Sequence, residues 1–231
     1  MSFELAKRSL LRVGAILPDR AHYHLAASVD YLYLGHWMRR NQHDPPRYRS
    51  RSDLFTHLAA RCRDERVAYL EFGVASGSAT REWAQLLHNP SSELHGFDSF
   101  EGLPTDWIAG RPAGHFDQGG KVPSIADPRV HFHVGWFSDS LQLFEWPDGY
   151  ERLIVNLDAD LYSSTAEALT FIEPHIRPGT LLYFDELNHR QHELRALQEF
   201  LARGFSVRAL GATPDLAHVG FEVSATNGTR G

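Results

Sequence analysis

Lysine is nearly missing from this 231-residue chain: of its 23 basic residues, only Lys7 and Lys121 are lysines. Neither stands in a Gly-Lys-Ser/Thr run, which argues against P-loop phosphoryl transfer. Neither follows a tyrosine by four positions, which argues against the Tyr/Lys chemistry of short-chain dehydrogenases. Cysteine is scarcer still. A single Cys62 cannot form an internal disulfide, which fits a reducing cytosol. No apolar run approaches the roughly 18 residues that span a bilayer, so no membrane partner is expected. The opening stretch resembles a signal peptide only superficially, because Arg12 interrupts it and no small-residue cleavage site follows. A cytoplasmic protein is predicted. Positive charge is also lacking: the net charge of -6 argues against a nucleic-acid partner, which favours a basic surface.

What is present is an ordinary globular composition, 42% hydrophobic and 23% charged, long enough for one sizeable core. From about residue 67 onward, strand-like and helix-like segments alternate. "VAYLEFG" (67–73), "ELHGFDSF" (93–100), "VHFHVGWF" (130–137), "RLIVNLD" (152–158) and "GTLLYFDE" (179–186) read as strands, with helical segments such as "SATREWAQLLH" and "STAEALTFIEPHI" among them. This order predicts an α/β fold with a doubly wound, mostly parallel sheet. The last two runs, "FSVRALG" and "HVGFEVS", have no helix between them and bring the strands to seven, pairing as an antiparallel edge.

Residues 1–60 differ, being helical and rich in aromatics, and read as an N-terminal extension that covers the site or makes a subunit contact. A homo-oligomer is expected. Ser99 to Arg129 is too long for an ordinary connection and is punctuated by Gly and Pro, as functional lids often are. Its Phe100, Trp107 and Phe116 either line a pocket or anchor the loop to the core.

"LEFGVASGSA" (70–79) places Gly73 and Gly77 between a strand and a helix. Gly73 suits a tight turn, and Gly77 lets the helix start lie close to sheet and ligand. A dinucleotide fold favours a second glycine where this chain has Ala75, next to the pyrophosphate. S-adenosylmethionine has no pyrophosphate and tolerates a side chain there. Asp98 ends the next strand, where an acidic residue can accept hydrogen bonds from ribose hydroxyls. "NLDADLYSST" (156–165) ends another strand with Asp158 and Asp160. These either cap the following helix or face a ligand at the carboxyl ends of the strands.

In this order, "LEFGVASGSA", "GFDSFEGLPTDW", "GWFSDSL", "LDADLYSST" and "YFDEL" resemble the macrocin O-methyltransferase-like family. These are class I S-adenosylmethionine-dependent methyltransferases, many acting on sugar hydroxyls, and the resemblance covers roughly residues 48 to 205. It implies a Rossmann-like methyltransferase domain over 61–231. It also implies that Glu71, Gly73 and Gly77, with the intervening Val74, Ala75 and Ser76, surround the methionine part of the cofactor. Asp98, followed by Ser99, falls at the ribose, and Gly135, Trp136 and Phe137 lie near the adenine.

Asp158 ends one strand, and Asp185 with Glu186 ends the strand expected beside it. Carboxylates gathered this way repel unless protonated or bridged by a cation, and hard oxygen ligands suit Mg²⁺. Family relatives hold such a metal with an aspartate and an Asp-Asp pair, whereas this chain has Asp185-Glu186. The resemblance makes Asp158 both metal ligand and catalytic base. Asp160 is read as supporting the site. The expected activity is metal-assisted methylation of a hydroxyl on a sugar or glycosylated metabolite.

Weaker patterns complete the reading. His131 and His133 share a strand face and read as structural; His189 and His192 follow the acidic pair and either cap a helix, face solvent or contact substrate. "RRNQHDPPRYRSR" (39–51) carries five arginines, either a solvated loop or a grip on an anionic acceptor. Two alternatives stay open at this point: a nicotinamide-dependent oxidoreductase, against which Ala75 counts, and a non-catalytic cofactor-binding protein.

Overall fold

The computed structural model describes residues 3–108 and 110–226. Helices α1 (Phe3–Ile16), α2 (Asp19–Arg40) and α3 (Arg51–Ala59) precede the alternating part of the chain. That part runs β1 (Val67–Phe72), α4 (Ser78–Leu86), β2 (Glu93–Asp98), β3 (Val130–Val134), α5 (Phe137–Ser140), β4 (Arg152–Leu157), α6 (Tyr162–Ile172), β5 (Leu181–Phe184), α7 (Glu193–Ala202), β6 (Phe205–Ala212) and β7 (Val219–Thr226).

The seven strands form one sheet in the order β3-β2-β1-β4-β5-β7-β6. Strands β1 to β5 pair in parallel, and β7 runs antiparallel to both β5 and β6. The last two strands pair as their sequence suggests. The finer detail is that β7 fills a slot between β5 and β6, so the outermost strand is β6. Both faces of the sheet are covered, as the period-2 alternation of strand side chains requires. From β1, Ala68, Leu70 and Phe72 enter one apolar cluster with α6 and α7; Val67 and Tyr69 enter another with α3 and α4.

Packing divides the N-terminal helices. Leu54, Phe55 and Leu58 of α3 are buried in the cluster shared with α4, and Leu34, Trp37 and Met38 at the end of α2 in the cluster shared with α6 and α7. Helix α1 buries none of its residues. Residues 1–60 thus differ along their length in burial, and Asp30, Tyr31 and Tyr33 of α2 also touch Arg190, Asn188 and Gln198. Among the described residues, no helix is long and apolar enough to cross a membrane.

The chain leaves β1 for β2 and β3, then returns to β4 on the other side of β1. A crevice opens at such a reversal, outside the carboxyl ends of the strands. The motifs singled out in the sequence converge there.

Candidate functional site

A cavity of about 530 Å³ lies at this reversal, within the roughly 300–1,000 Å³ typical of small-molecule and cofactor sites. Its two ends are built differently. At one end, the loop after β1 turns with Gly73 at φ +92°, and a Cβ there would collide with the Asp158 carbonyl oxygen. Ala75 also takes a left-handed conformation, φ 46°. Asp98 holds this loop: its Oδ2 accepts the backbone N–H groups of Val74 (2.7 Å) and Ala75 (2.8 Å), and its Oδ1 accepts that of Phe100 (2.7 Å). That bracing was not legible in the sequence; Oδ2 is filled by its two N–H donors, and the second lone pair of Oδ1 leaves room for a ribose hydroxyl.

Gly73, Ala75, Asp98, Ser99, Gly135, Trp136 and Phe137 all line the cavity. Glu71, Val74, Ser76 and Gly77 do not form its wall. Glu71 is buried behind it, accepting from the hydroxyls of Tyr69 (2.8 Å) and Thr80 (2.7 Å). Burial pushes its carboxyl up to about 7 despite these two bonds. Gly77, φ +73°, is required for a different neighbour than the sheet: a Cβ there would press on Pro123 of the 99–129 loop at 2.9 Å.

The other end is crowded with acids. Asp158, Asp160, Asp185 and Glu186 line it, with Arg51 and Arg111. Helix α6 starts with Leu161 as its N-cap and no side-chain capping bond, so capping is not what Asp158 and Asp160 do. Asp160 takes φ 58°. Burial, then Glu186, pushes its carboxyl up to about 7, against the opposing pull of Arg111. Asp158 lines the cavity; desolvation first, then Asp185 and Asp160, hold it well above the usual carboxylate range.

Asp185 is the exception, because it is well supplied with donors. Its Oδ1 accepts from the Tyr183 hydroxyl (2.7 Å) and lies 3.0 Å from His218 Nδ1 and 3.4 Å from Arg51 Nη1. Burial opposes its ionisation, but His218, Arg51 and Tyr183 outweigh it and the carboxyl sits below its ordinary value. Burial likewise lowers His218, and Asp185 outweighs that to raise it, so each favours the charged form of the other.

The other sequence candidates sort themselves by contact. Phe100 and Trp107 are buried and anchor the long loop, Trp107 packing against His189 with ring centroids 5.1 Å apart; Phe116 lines the cavity. His192 Nδ1 lies 3.3 Å from the Tyr162 backbone nitrogen, and neither His189 nor His192 is part of the cavity wall. His133 packs on Phe97 and His95 on the sheet, a structural place. Of the five arginines in 39–51, only Arg51 reaches the cavity, and it faces carboxylates rather than an open anion site.

The expected Mg²⁺ ligands are brought together, but their arrangement does not suit the ion. Arg51 Nη1 lies 3.4 Å from Asp185 Oδ1 and 3.9 Å from Asp158 Oδ2, and Glu186 Oε2 turns towards His189 Nε2 at 3.4 Å. Mg²⁺ demands oxygen ligands at about 2.0–2.1 Å in near-ideal geometry. Among the described residues, no group of three or more His, Cys, Asp or Glu side chains is disposed to hold a metal ion.

Comparison with known proteins agrees with this architecture. A 62-residue stretch is 37% identical to the 8-demethyl-8-(2,3-dimethoxy-alpha-L-rhamnosyl)-tetracenomycin-C 4'-O-methyltransferase of Streptomyces olivaceus, covering 27% of this chain and 23% of that protein. The match thus spans under a quarter of that relative's length. The calicheamicin methyltransferase CalS11 superposes with a TM-score of 0.57 at 21% identity, over 96% of this chain and 93% of its own. The O-methyltransferase from Bacillus cereus, solved in complex with SAH, gives 0.51 at 15% identity, over 91% and 93%. At these identities the two structures speak for the fold. The sequence model described as "Methyltransferase domain" matches residues 70–187, from the end of β1 to just past Asp185 and Glu186. That is just over half of the chain and takes in both ends of the cavity: the chain belongs to this methyltransferase-domain family.

Proposed function

We propose that the cavity transfers the methyl group of S-adenosylmethionine to a hydroxyl of a sugar or glycosylated small molecule. One observation carries the reading: the raised carboxyl of Asp158 stands between the Gly73–Ala75 loop and the acid-lined end, where a hydroxyl would meet a bound cofactor. S-adenosylmethionine, when bound, supplies an electrophilic methyl group on a sulfonium. The Asp98-braced loop holds the methionine and ribose part, Ser99 adjoins it, and Trp136 and Phe137 flank the base. Asp158 takes the proton of the hydroxyl as its oxygen gains the methyl group and the carbon–sulfur bond breaks. A base of raised pKa is better matched to a weakly acidic hydroxyl than an ordinary carboxylate. Much of the remaining rate gain is alignment.

The sugar class is supported by the Streptomyces olivaceus relative, a methyltransferase for a rhamnosyl group by its name, and by Asp160, Glu186 and Arg111, which offer hydroxyl partners. Asp158, Asp185 and Glu186 converge on one cavity, as a divalent-cation site would require, but Arg51 already stands against Asp158 and Asp185. The oxidoreductase alternative does not fit the family match. Helix α1 and the first two thirds of α2 expose Leu10, Leu11, Ile16 and Leu32, and we assign this segment to a lid or to contact between copies.

Calorimetry with S-adenosylmethionine and with NAD, followed by a labelled-methyl screen over sugars, glycosylated metabolites and phenols, tests the proposal. Micromolar binding of S-adenosylmethionine alone and labelling of a sugar hydroxyl are expected. Binding without transfer to any acceptor would leave a non-catalytic protein and refute it.

A further inference from the structure

We propose that Arg51 supplies, within the chain, the positive charge that a divalent cation would otherwise bring to Asp158 and Asp185, so that catalysis needs no metal. The inference rests on the methyl-transfer reading above. Arg51 opens α3, a helix fixed by its Ser50 N-cap and by the buried Leu54, Phe55 and Leu58. Its guanidinium reaches from there into the cavity wall and is held on three sides. Nη2 donates to Ser78 Oγ at 3.0 Å, Cζ lies 5.6 Å from the centre of the Phe55 ring, and Nη1 faces Asp185 and Asp158 at 3.4 and 3.9 Å. A planar, permanently charged group suits a fixed place beside two carboxylates better than a mobile ammonium would.

One of the two oxygens of Asp185 is also already committed. A carboxylate oxygen offers two lone pairs, and Oδ1 already faces the Tyr183 hydroxyl, His218 Nδ1 and Arg51 Nη1. A dication between Asp158 and Asp185 would have to displace the guanidinium or share their space with it, against direct repulsion.

With Arg51 in place the transfer balances without another ion. The acceptor O–H proton goes to the Asp158 carboxylate, the oxygen–carbon bond forms, and the carbon–sulfur bond breaks to leave a neutral thioether. Arg51 is unchanged throughout. It acts as a positioning residue, keeping Asp158 and Asp185 side by side with less mutual repulsion.

The test combines metal binding with turnover. Wild-type protein stripped by a chelator is titrated with Mn²⁺, followed by electron paramagnetic resonance, and its methyl transfer is measured in the chelator. Full turnover and no stoichiometric Mn²⁺ binding are expected. Arg51→Ala should lose turnover by roughly 100-fold or more, the scale of removing one preorganised electrostatic group. Arg51→Lys should recover part of it, and S-adenosylmethionine affinity should change little in either variant. Wild-type protein that binds one Mn²⁺, lost again in Asp158→Asn, and stops turning over in chelator would overturn the inference. So would Arg51→Ala with wild-type turnover in chelator. Should Arg51→Ala fail to fold, the wild-type Mn²⁺ titration still decides. Should no acceptor be methylated under any condition, the methyl-transfer reading falls, and the same titration answers the question of the cation separately.

Discussion

At the glycine-loop end of the cavity, one carboxylate, Asp98, accepts three backbone N–H groups within 24 residues of itself. At the other end, Asp158, Asp160, Asp185 and Glu186 face Arg51 and Arg111, and Arg51 lies 134 residues from Asp185 in the chain. The first end is organised by backbone geometry and suits a ligand held in one pose. The second is organised by charge, and its strong carboxylate perturbations are of the kind that accompany proton transfer. On the proposed reading, the difference teaches where binding and chemistry divide: the loop after β1 positions, and the ends of β4 and β5 react.

The difference can be probed one residue at a time. The largest stability effect expected is at Glu71, behind the glycine loop. Its carboxyl is raised from 4.5 to about 7, chiefly by burial. The folded state therefore holds a proton that the unfolded state gives up between these values. Stability conferred by the neutral group is full below pH 4.5 and falls by about 3 kcal/mol as pH rises through 7. Glu71→Gln should flatten that fall. Urea melts of both proteins at pH 5 and pH 8 measure it; parallel pH dependence in the two would mean Glu71 is ordinary.

Asp98→Ala comes next. It releases the braced loop and removes a charged acceptor near the ribose, for a loss of roughly 1.5–3 kcal/mol, or about 10- to 150-fold in S-adenosylmethionine affinity. Turnover at saturating cofactor should fall far less, if the two ends are as separate as they look. Calorimetry and kcat on the same preparation decide it, and equal losses in both would erase the distinction. The smallest effect expected is from Trp107→Ala. It unpins the 99–129 loop from His189, so amide exchange across residues 103–116 should quicken several-fold, with a few-fold rise in acceptor KM. Unchanged exchange would show that Leu103 and Phe100 hold the loop unaided.

The glycine-loop end was largely readable from sequence, because strand periodicity, Gly73 and a strand-end acid are local signals. The seven strands were readable for the same reason, and so was the convergence of Asp158 with Asp185 and Glu186, since neighbouring parallel strands end at one edge. What escaped was pairing between distant segments. Nothing local marks Arg51 as different from Arg47 or Arg49, yet it alone of the 39–51 arginines enters the cavity. Tyr183 sits two residues from Asp185 on β5 itself, but His218 comes to Asp185 only because β7 inserts beside β5, a choice made by the whole sheet. Without those partners in view, three acids read as a metal site; with them, the charge already present becomes visible.

The central claim, that Asp158 is the proton acceptor of a methyl transfer at the acid-lined end, is tested most directly by single-turnover transfer of labelled methyl from S-adenosylmethionine in wild-type protein and Asp158→Asn. The account predicts a labelled O-methyl product from wild type, a rate lower by about 10²- to 10⁴-fold in Asp158→Asn, and cofactor affinity within a few-fold. Equal rates in the two proteins would contradict it.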